Sequence, residues 1–291
     1  MAWIFFSLLA AFIWAVANIV DKHVLSKYKV QPVVFVFIIS AIGFIIGLLF
    51  LLFNQIEFSM LLLIGLINGM IYPSANMLYF KAIKLEEVSR VVPWFAISPL
   101  LVVVGATIFL NEILTASQYL GVAILIIGLF LIAVKKGFRV KPNKWMLYIL
   151  FSSLLNAFGF LLEKYLLNSL SLFHLFAVIE IGAFMGFLPY LFFYWPTIKK
   201  TFNQNRGAVK IIALNEAMGI MATFSMLVAI AIGLVSLVSV LGSMQYLFLL
   251  ILALVVSIAY PKILKEELQG GVIALKAIAI VLIITGIYLI T

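Results

Sequence analysis

Apolar residues run on in this chain for about twenty positions at a time before a charged or turn-forming break. A helix rising 1.5 Å per residue needs roughly 20 apolar residues to cross a hydrocarbon core about 30 Å thick. The runs at 2–20, 32–53, 58–80, 91–110, 117–134, 145–162, 172–195, 211–232, 235–259 and 271–290 meet that length and predict ten membrane spans. The stretch from Ile211 to Tyr260 carries one charge, Glu216, and at about 75 Å of helix it is too long for one crossing. The chain is therefore expected to turn at Gly233 to Ser236. Ala15-Val16-Ala17 before Asp21 imitates a leader cleavage site, but no positive segment precedes it, so the first span reads as a retained helix. Lys276, in the last span, has a stem long enough to carry its ammonium toward the interface.

Composition agrees and narrows the chemistry. Of 291 residues, 66% are apolar and 10% charged, against about 25% charged in a soluble domain. The fold class is thus all-α and polytopic, with the lipid bilayer as a partner. The net charge of +9 belongs to loops at a membrane surface rather than to nucleic acid. Cysteine is absent, which removes thiol catalysis and thiolate metal sites, and the only histidines are His23 and His174, too far apart for a zinc-protease motif. Asp21 is the sole aspartate, which excludes a two-aspartate membrane protease. With no nucleophile elbow or phosphate loop, the chain offers no catalytic residues and implies no metal or cofactor.

The two halves repeat each other at offsets that change only between spans. Gly43-x-x-x-Gly47 recurs as Gly182-x-x-x-Gly186, at 139. Ala15 and Asp21-Lys22 recur as Ala157 and Glu163-Lys164, at 142. Asn68, Ala82, Val88 and Ser89 recur as Asn215, Ala229, Val235 and Ser236, at 147, and residues 125–132 recur as 283–290, at 158. Ordered matches with length changes in loops argue for a duplicated five-helix unit: 1–137, a linker at 138–143, and 144–291. Five is odd, so the second unit enters the membrane from the opposite side, an inverted repeat. The loops after spans 1, 3, 5, 7 and 9, counting Lys276 near the start of the last span with the loop before it, hold 18 of the 19 Lys and Arg residues, and the other side only Lys164. That bias predicts cytoplasmic odd loops and both termini outside a plasma membrane.

Ten helices in two inverted units, with Glu112-x-Leu114-Thr115 closing the fourth span after Pro99 and Glu266-x-Leu268-Gln269 closing the ninth, resemble the drug/metabolite transporter superfamily, EamA branch. The sequence departs from it in having Asn111 where a glycine before the Glu is usual, in lacking a proline in the matching stretch of span 9, and in the external termini its charges predict. The resemblance implies a carrier of small metabolites, with spans 1, 3, 4 and 6, 8, 9 around a central cavity.

Polar side chains in hydrocarbon are costly and tend to face a cavity or a partner helix. Asn68, Tyr72, Asn76 and Tyr79 share one face of span 3 and can line a water-filled path or form an interhelical seam, and Tyr72-Pro73 frees a backbone carbonyl. Asn18 and Asn156 fit a seam better. Gln245 and Trp94 suit an amphipathic solute, Trp94 equally suiting interface packing. Glu216, beside Asn215, lies about 8 Å inside span 8, and Glu180 about 12 Å inside span 7. An ionised carboxylate at such depth costs about 2.5 to 3.5 kcal/mol, so either can couple transport to protons, although span 7 is expected at the periphery, which favours a structural Glu180. Asp21-Lys22 and Glu163-Lys164 read as paired charges at the membrane edge or as gates. The glycine motifs read as close helix contacts, and His174 as an interface residue.

The function expected is secondary transport of small organic metabolites, amino acids or similar amphipathic solutes, by alternating access. The alternatives are a lipid-intermediate flippase and a membrane scaffold or intramembrane enzyme. The chain carries no mark of an oligomeric state.

Overall fold

The computed structural model describes residues 2–53, 59–86, 91–132, 143–259 and 270–290. Every regular element among them is helical: α1 Ala2–Lys27, α2 Pro32–Phe53, α3 Met60–Leu85, a 3-10 turn η1 Val92–Ala96 leading into α4 Ile97–Phe109, α5 Ala116–Ile132, α6 Lys144–Leu167, α7 Leu172–Gln204, α8 Arg206–Ile232, α9 Val235–Gly242, α10 Gln245–Ala259 and α11 Gly270–Ile290. Seven helical stretches are long and apolar enough to cross a membrane, the last of them Val235–Val255, and Trp94–Phe109, Ala116–Leu131 and Ala277–Ile290 are shorter apolar helices. Large apolar side chains such as Leu52, Phe53, Ile108, Phe192 and Tyr288 point outward, as lipid-facing surfaces require. The protein is a multi-pass membrane protein.

Several helices outrun their apolar stretches. α1 continues past Asp21 and Lys22, α3 past Lys81 and Lys84, and α6 past Glu163 and Lys164. A charged residue ends a hydropathy run, but it does not end a helix when its group finds a partner. α7 extends through Lys199 and Lys200 to Gln204, and its 33 residues make about 50 Å of helix, well beyond a 30 Å core. The basic segment expected as a loop between spans 7 and 8 is therefore helical on both sides of Asn205. Span 9 is not continuous: α9 ends at Gly242, and two turn residues precede α10. Residues 138–142 of the linker, Val88, Ser89, Glu266, Leu268 and Gln269, and the side chain of Lys276, lie outside the described residues.

Packing follows a consistent scheme. α1 lies along α8 and α3 along α6, α7 packs on α2 and α3, and α5 pairs with α11. Glycines let these backbones touch. A Cβ on Gly182 would stand 2.1 Å from the Leu66 carbonyl oxygen, and one on Gly186 2.3 Å from that of Met70. The two glycine motifs do not meet each other: Gly182 and Gly186 face α3, whereas Gly43 and Gly47 face Glu180 and Ala177 of α7. Asn111 has φ 54°, in the left-handed region that suits glycine first and asparagine next. The departure at Asn111 thus keeps the backbone conformation that follows α4.

Helix ends are closed by charged side chains from distant helices. Lys22 Nζ donates to the carbonyls of Ile83 (2.7 Å) and Glu86 (2.8 Å) at the end of α3. Lys164 Nζ donates to Ile230 (3.0 Å) and Gly233 (2.7 Å) at the end of α8. An ammonium there satisfies carbonyls that the helix ladder leaves open and sits at the negative end of the helix dipole. Glu112 does the converse. Its carboxylate accepts from the Val235 and Ser236 amides at 2.9 and 3.0 Å and from Ser236 Oγ at 2.7 Å, capping α9.

Candidate functional site

A cavity of about 240 Å3 lies at the centre of the bundle. Its walls come from α1 (Trp14, Asn18, Asp21), α3 (Tyr72, Pro73, Asn76, Tyr79), the η1–α4 joint (Phe95, Ser98, Pro99), α6 (Asn156, Phe160, Glu163), α7 (Glu180), α8 (Glu216, Thr223) and the α9–α10 break (Ser239, Gly242, Ser243, Gln245, Tyr246). Two of these walls are interrupted helices. Where a helix stops, backbone groups leave the ladder, and inside a membrane protein such backbone is tolerated where it lines a cavity. Pro73 adds to this, because it has no N–H for the carbonyl of Gly69.

Four carboxylates reach the cavity: Asp21, Glu163, Glu180 and Glu216, each no more than 7% exposed. They do not converge on one point; among the described residues no three acids or histidines come together as a metal site would need. Asp21 accepts from Asn215 Nδ2 at 2.8 Å and is close enough to Glu216 for the two charges to act on each other. Glu163 accepts from the Tyr72 hydroxyl and interacts in the same way with Glu180. Glu180 is seated by α2, for a Cβ on Gly43 would fall 2.0 Å from its Oε2. Glu216 Oε1 is buried without a hydrogen-bond partner. No Lys, Arg or His is among the described residues lining the cavity, since Lys22 and Lys164 point away to helix ends.

The structure brings together most residues singled out from sequence. Tyr72, Asn76, Tyr79, Gln245 and Glu216 line the cavity. Asn18, Asn156 and Glu180, which fitted a structural role better, line it as well; Asn18 accepts from the Tyr79 hydroxyl, and Asn156 Nδ2 donates to Ser152 O at 2.9 Å. α7 is not peripheral at this depth, because its small residues let it press between α2 and α3. Three residues fall elsewhere. Trp94 packs edge-on against Phe130 and Trp145 in the apolar core. Asn68 and Asn215 sit in helix seams, donating to Gly159 O (3.4 Å) and Ala17 O (3.2 Å). These two bonds join α3 to α6 and α8 to α1. Asp21 and Glu163, read as membrane-edge charges, are buried at the cavity instead. Each sits beside a lysine and closes an apolar run, and hydropathy cannot distinguish that from a helix end. What distinguishes them is a donor on a neighbouring helix, Asn215 for Asp21 and Tyr72 for Glu163, and that needs the packing to be known.

The arrangement defines a membrane protein with a solute-sized, acid-lined central cavity. Residues 1–134, somewhat under half of the chain, match the EamA-like transporter family, a branch of the drug/metabolite transporter superfamily. That family suggests a membrane transporter of small solutes. The chain is 28% identical over 134 residues to an uncharacterized protein, MJ1333.1, of Methanocaldococcus jannaschii, a match covering 45% of this chain and 96% of that protein. A solved crystal structure of a protein superposes on 99% of this chain and 95% of its own with a TM-score of 0.68, at 16% identity, a likeness of fold alone.

Proposed function

We propose that this protein is a proton-coupled secondary transporter of small amphipathic solutes bearing an amine. It works by alternating access between two inverted five-helix repeats of a ten-span fold, 1–137 and 144–291. The observation that carries the substrate class is the lining: four buried carboxylates, aromatic rings and side-chain amides, with no cation among the described residues. An ammonium supplies the countercharge that desolvated carboxylates lack, and rings such as Trp14 and Tyr246 offer π faces to it. When no solute is bound, protons fill the same role, which is how occupancy couples to proton movement. The groups that act on Glu216 in that exchange are Asp21 from α1 and Tyr79 from α3, and Tyr246 of α10 acts on Tyr79 in turn. A carboxylate on a zwitterionic solute meets only amides and hydroxyls, and a lipid-linked phosphate meets repulsion, so the lining favours the amine over the amino-acid and flippase readings.

The repeat is supported by contacts that obey the sequence offsets. Lys22 on Ile83 and Glu86 corresponds to Lys164 on Ile230 and Gly233, and Asn68 on Gly159 corresponds to Asn215 on Ala17. Both cavity walls that are broken helices belong to spans 4 and 9, matched positions in the two units. A relative of which 134 residues make up 96% supports one unit standing as a protein by itself. The charge bias supports a basic cytoplasmic side of the plasma membrane and external termini.

Proteoliposomes carrying a pH gradient test the reading. Short aliphatic and aromatic amines are expected to discharge the gradient faster than in protein-free liposomes, and organic acids of equal size no faster than in protein-free liposomes. Acids that move while amines do not would refute the substrate class. A reporter active only in the cytoplasm, fused to the C-terminus, is expected to stay silent, and a strong signal reverses the sidedness.

A further inference from the structure

We infer that the cavity has two separate cation subsites and takes a linear solute with an ammonium at each end, a diamine or polyamine. This inference rests on the amine reading above and specifies its substrate. One subsite is built on Asp21 and Glu216, the other on Glu163 and Glu180. A cluster of acids alone does not make a binding site, but Glu216 Oε1 is buried without a hydrogen-bond partner in the wall of a cavity, an acceptor left for something the protein does not supply.

The separation follows from α3, which passes both subsites. Tyr72 donates to Glu163, and Tyr79, one of the rings close to Asp21 and Glu216, lies seven residues further along the same helix. Seven residues of helix span about 10 Å. Asp21, held by Asn215, pairs with its neighbour Glu216, and Glu163, held by Tyr72, pairs with Glu180, which divides the negative charge between two poles. Apolar wall lies beside them, including Phe80, Phe95 and Phe160, which suits a methylene chain. A solute with one ammonium answers one pole and leaves the other to protons. A solute with two, spaced about 7 to 12 Å apart, answers both, and its second contact forms within an already bound molecule.

The test is calorimetric titration of the purified full chain in detergent with pentylamine, diaminopropane, diaminopentane and diaminooctane. The two longer diamines are expected to bind at least about tenfold more tightly than pentylamine, and diaminopropane, too short to reach both poles, close to pentylamine. In Glu180→Gln and in Glu216→Gln the ratio of diaminooctane to pentylamine affinity is expected to collapse toward one. Diamines that bind no better than pentylamine at every length would overturn the two-subsite inference and leave the amine reading standing. Failure of every amine to bind would overturn the amine reading, and this inference with it.

Discussion

Asp21 and Glu163 occupy corresponding places in α1 and α6, and the surroundings they share differ from those they do not. Each is followed by a lysine that grips two backbone carbonyls at the end of another helix. Facing the cavity, however, Asp21 is held by an amide, Asn215, and Glu163 by a phenol, Tyr72. The hydrogen bonds of both lysines to the helix ends go to backbone carbonyls, which do not depend on the identity of the residues that carry them. The cavity bonds depend on side chains, and there the surroundings of Asp21 and Glu163 differ. The lysine grips of α1 and α6 thus match, and the cavity-facing bonds of Asp21 and Glu163 do not.

The comparison is most sharply broken at Glu216, the acid with an unanswered oxygen. Glu216→Gln keeps the size and removes the charge, and is expected to lower amine affinity about 10- to 100-fold and to flatten the pH dependence of transport. Unchanged uptake at every pH would exclude Glu216 from the site. Next come the lysine grips. Lys22→Met and Lys164→Met each remove charge-assisted bonds worth about 1.5 to 3 kcal/mol, and thermal unfolding in detergent is expected to show similar losses for both. A large loss for one alone would mean that the two grips do not match after all. Glu112→Ala strips the cap from α9 at an expected cost of about 1 to 2 kcal/mol, read in the same unfolding experiment, with Glu112→Gln intermediate. The smallest effect is at Asn111. Asn111→Gly is expected to leave stability within about 0.5 kcal/mol, and Asn111→Val to cost about 1 to 2 kcal/mol, because only the latter is strained at positive φ.

The sequence disclosed the helices because hydrocarbon leaves a backbone few options, and it disclosed the span 3 stripe because Tyr72, Asn76 and Tyr79 share a face at helical spacing. It could not disclose where helices end among charges, since Lys22 and Lys164 are made compatible with helix by carbonyls that are distant in sequence. The break between α9 and α10 was equally hidden: Gly242 and Ser243 are common inside membrane helices, and no proline marks the site. Trp94 was ambiguous because an aromatic ring suits a cavity or a core, and only its neighbours Phe130 and Trp145 decide between them. Asn68 and Asn215 shared helices with cavity residues but pointed into the next helix, and sequence periodicity does not fix how a helix is rotated about its axis.

Under the alternating access proposed above, the four carboxylates of the cavity wall also set an electrical condition on the cycle. Carrying one unbalanced charge through a membrane potential of 100 mV involves about 2.3 kcal/mol. An ionised carboxylate that changes its exposure from one side to the other does so against or along that field, unless a proton or an ammonium travels with it. Voltage therefore distinguishes an empty, ionised carrier from a filled one, and across an energised membrane it penalises the futile excursion that would let protons or solute slip without exchange.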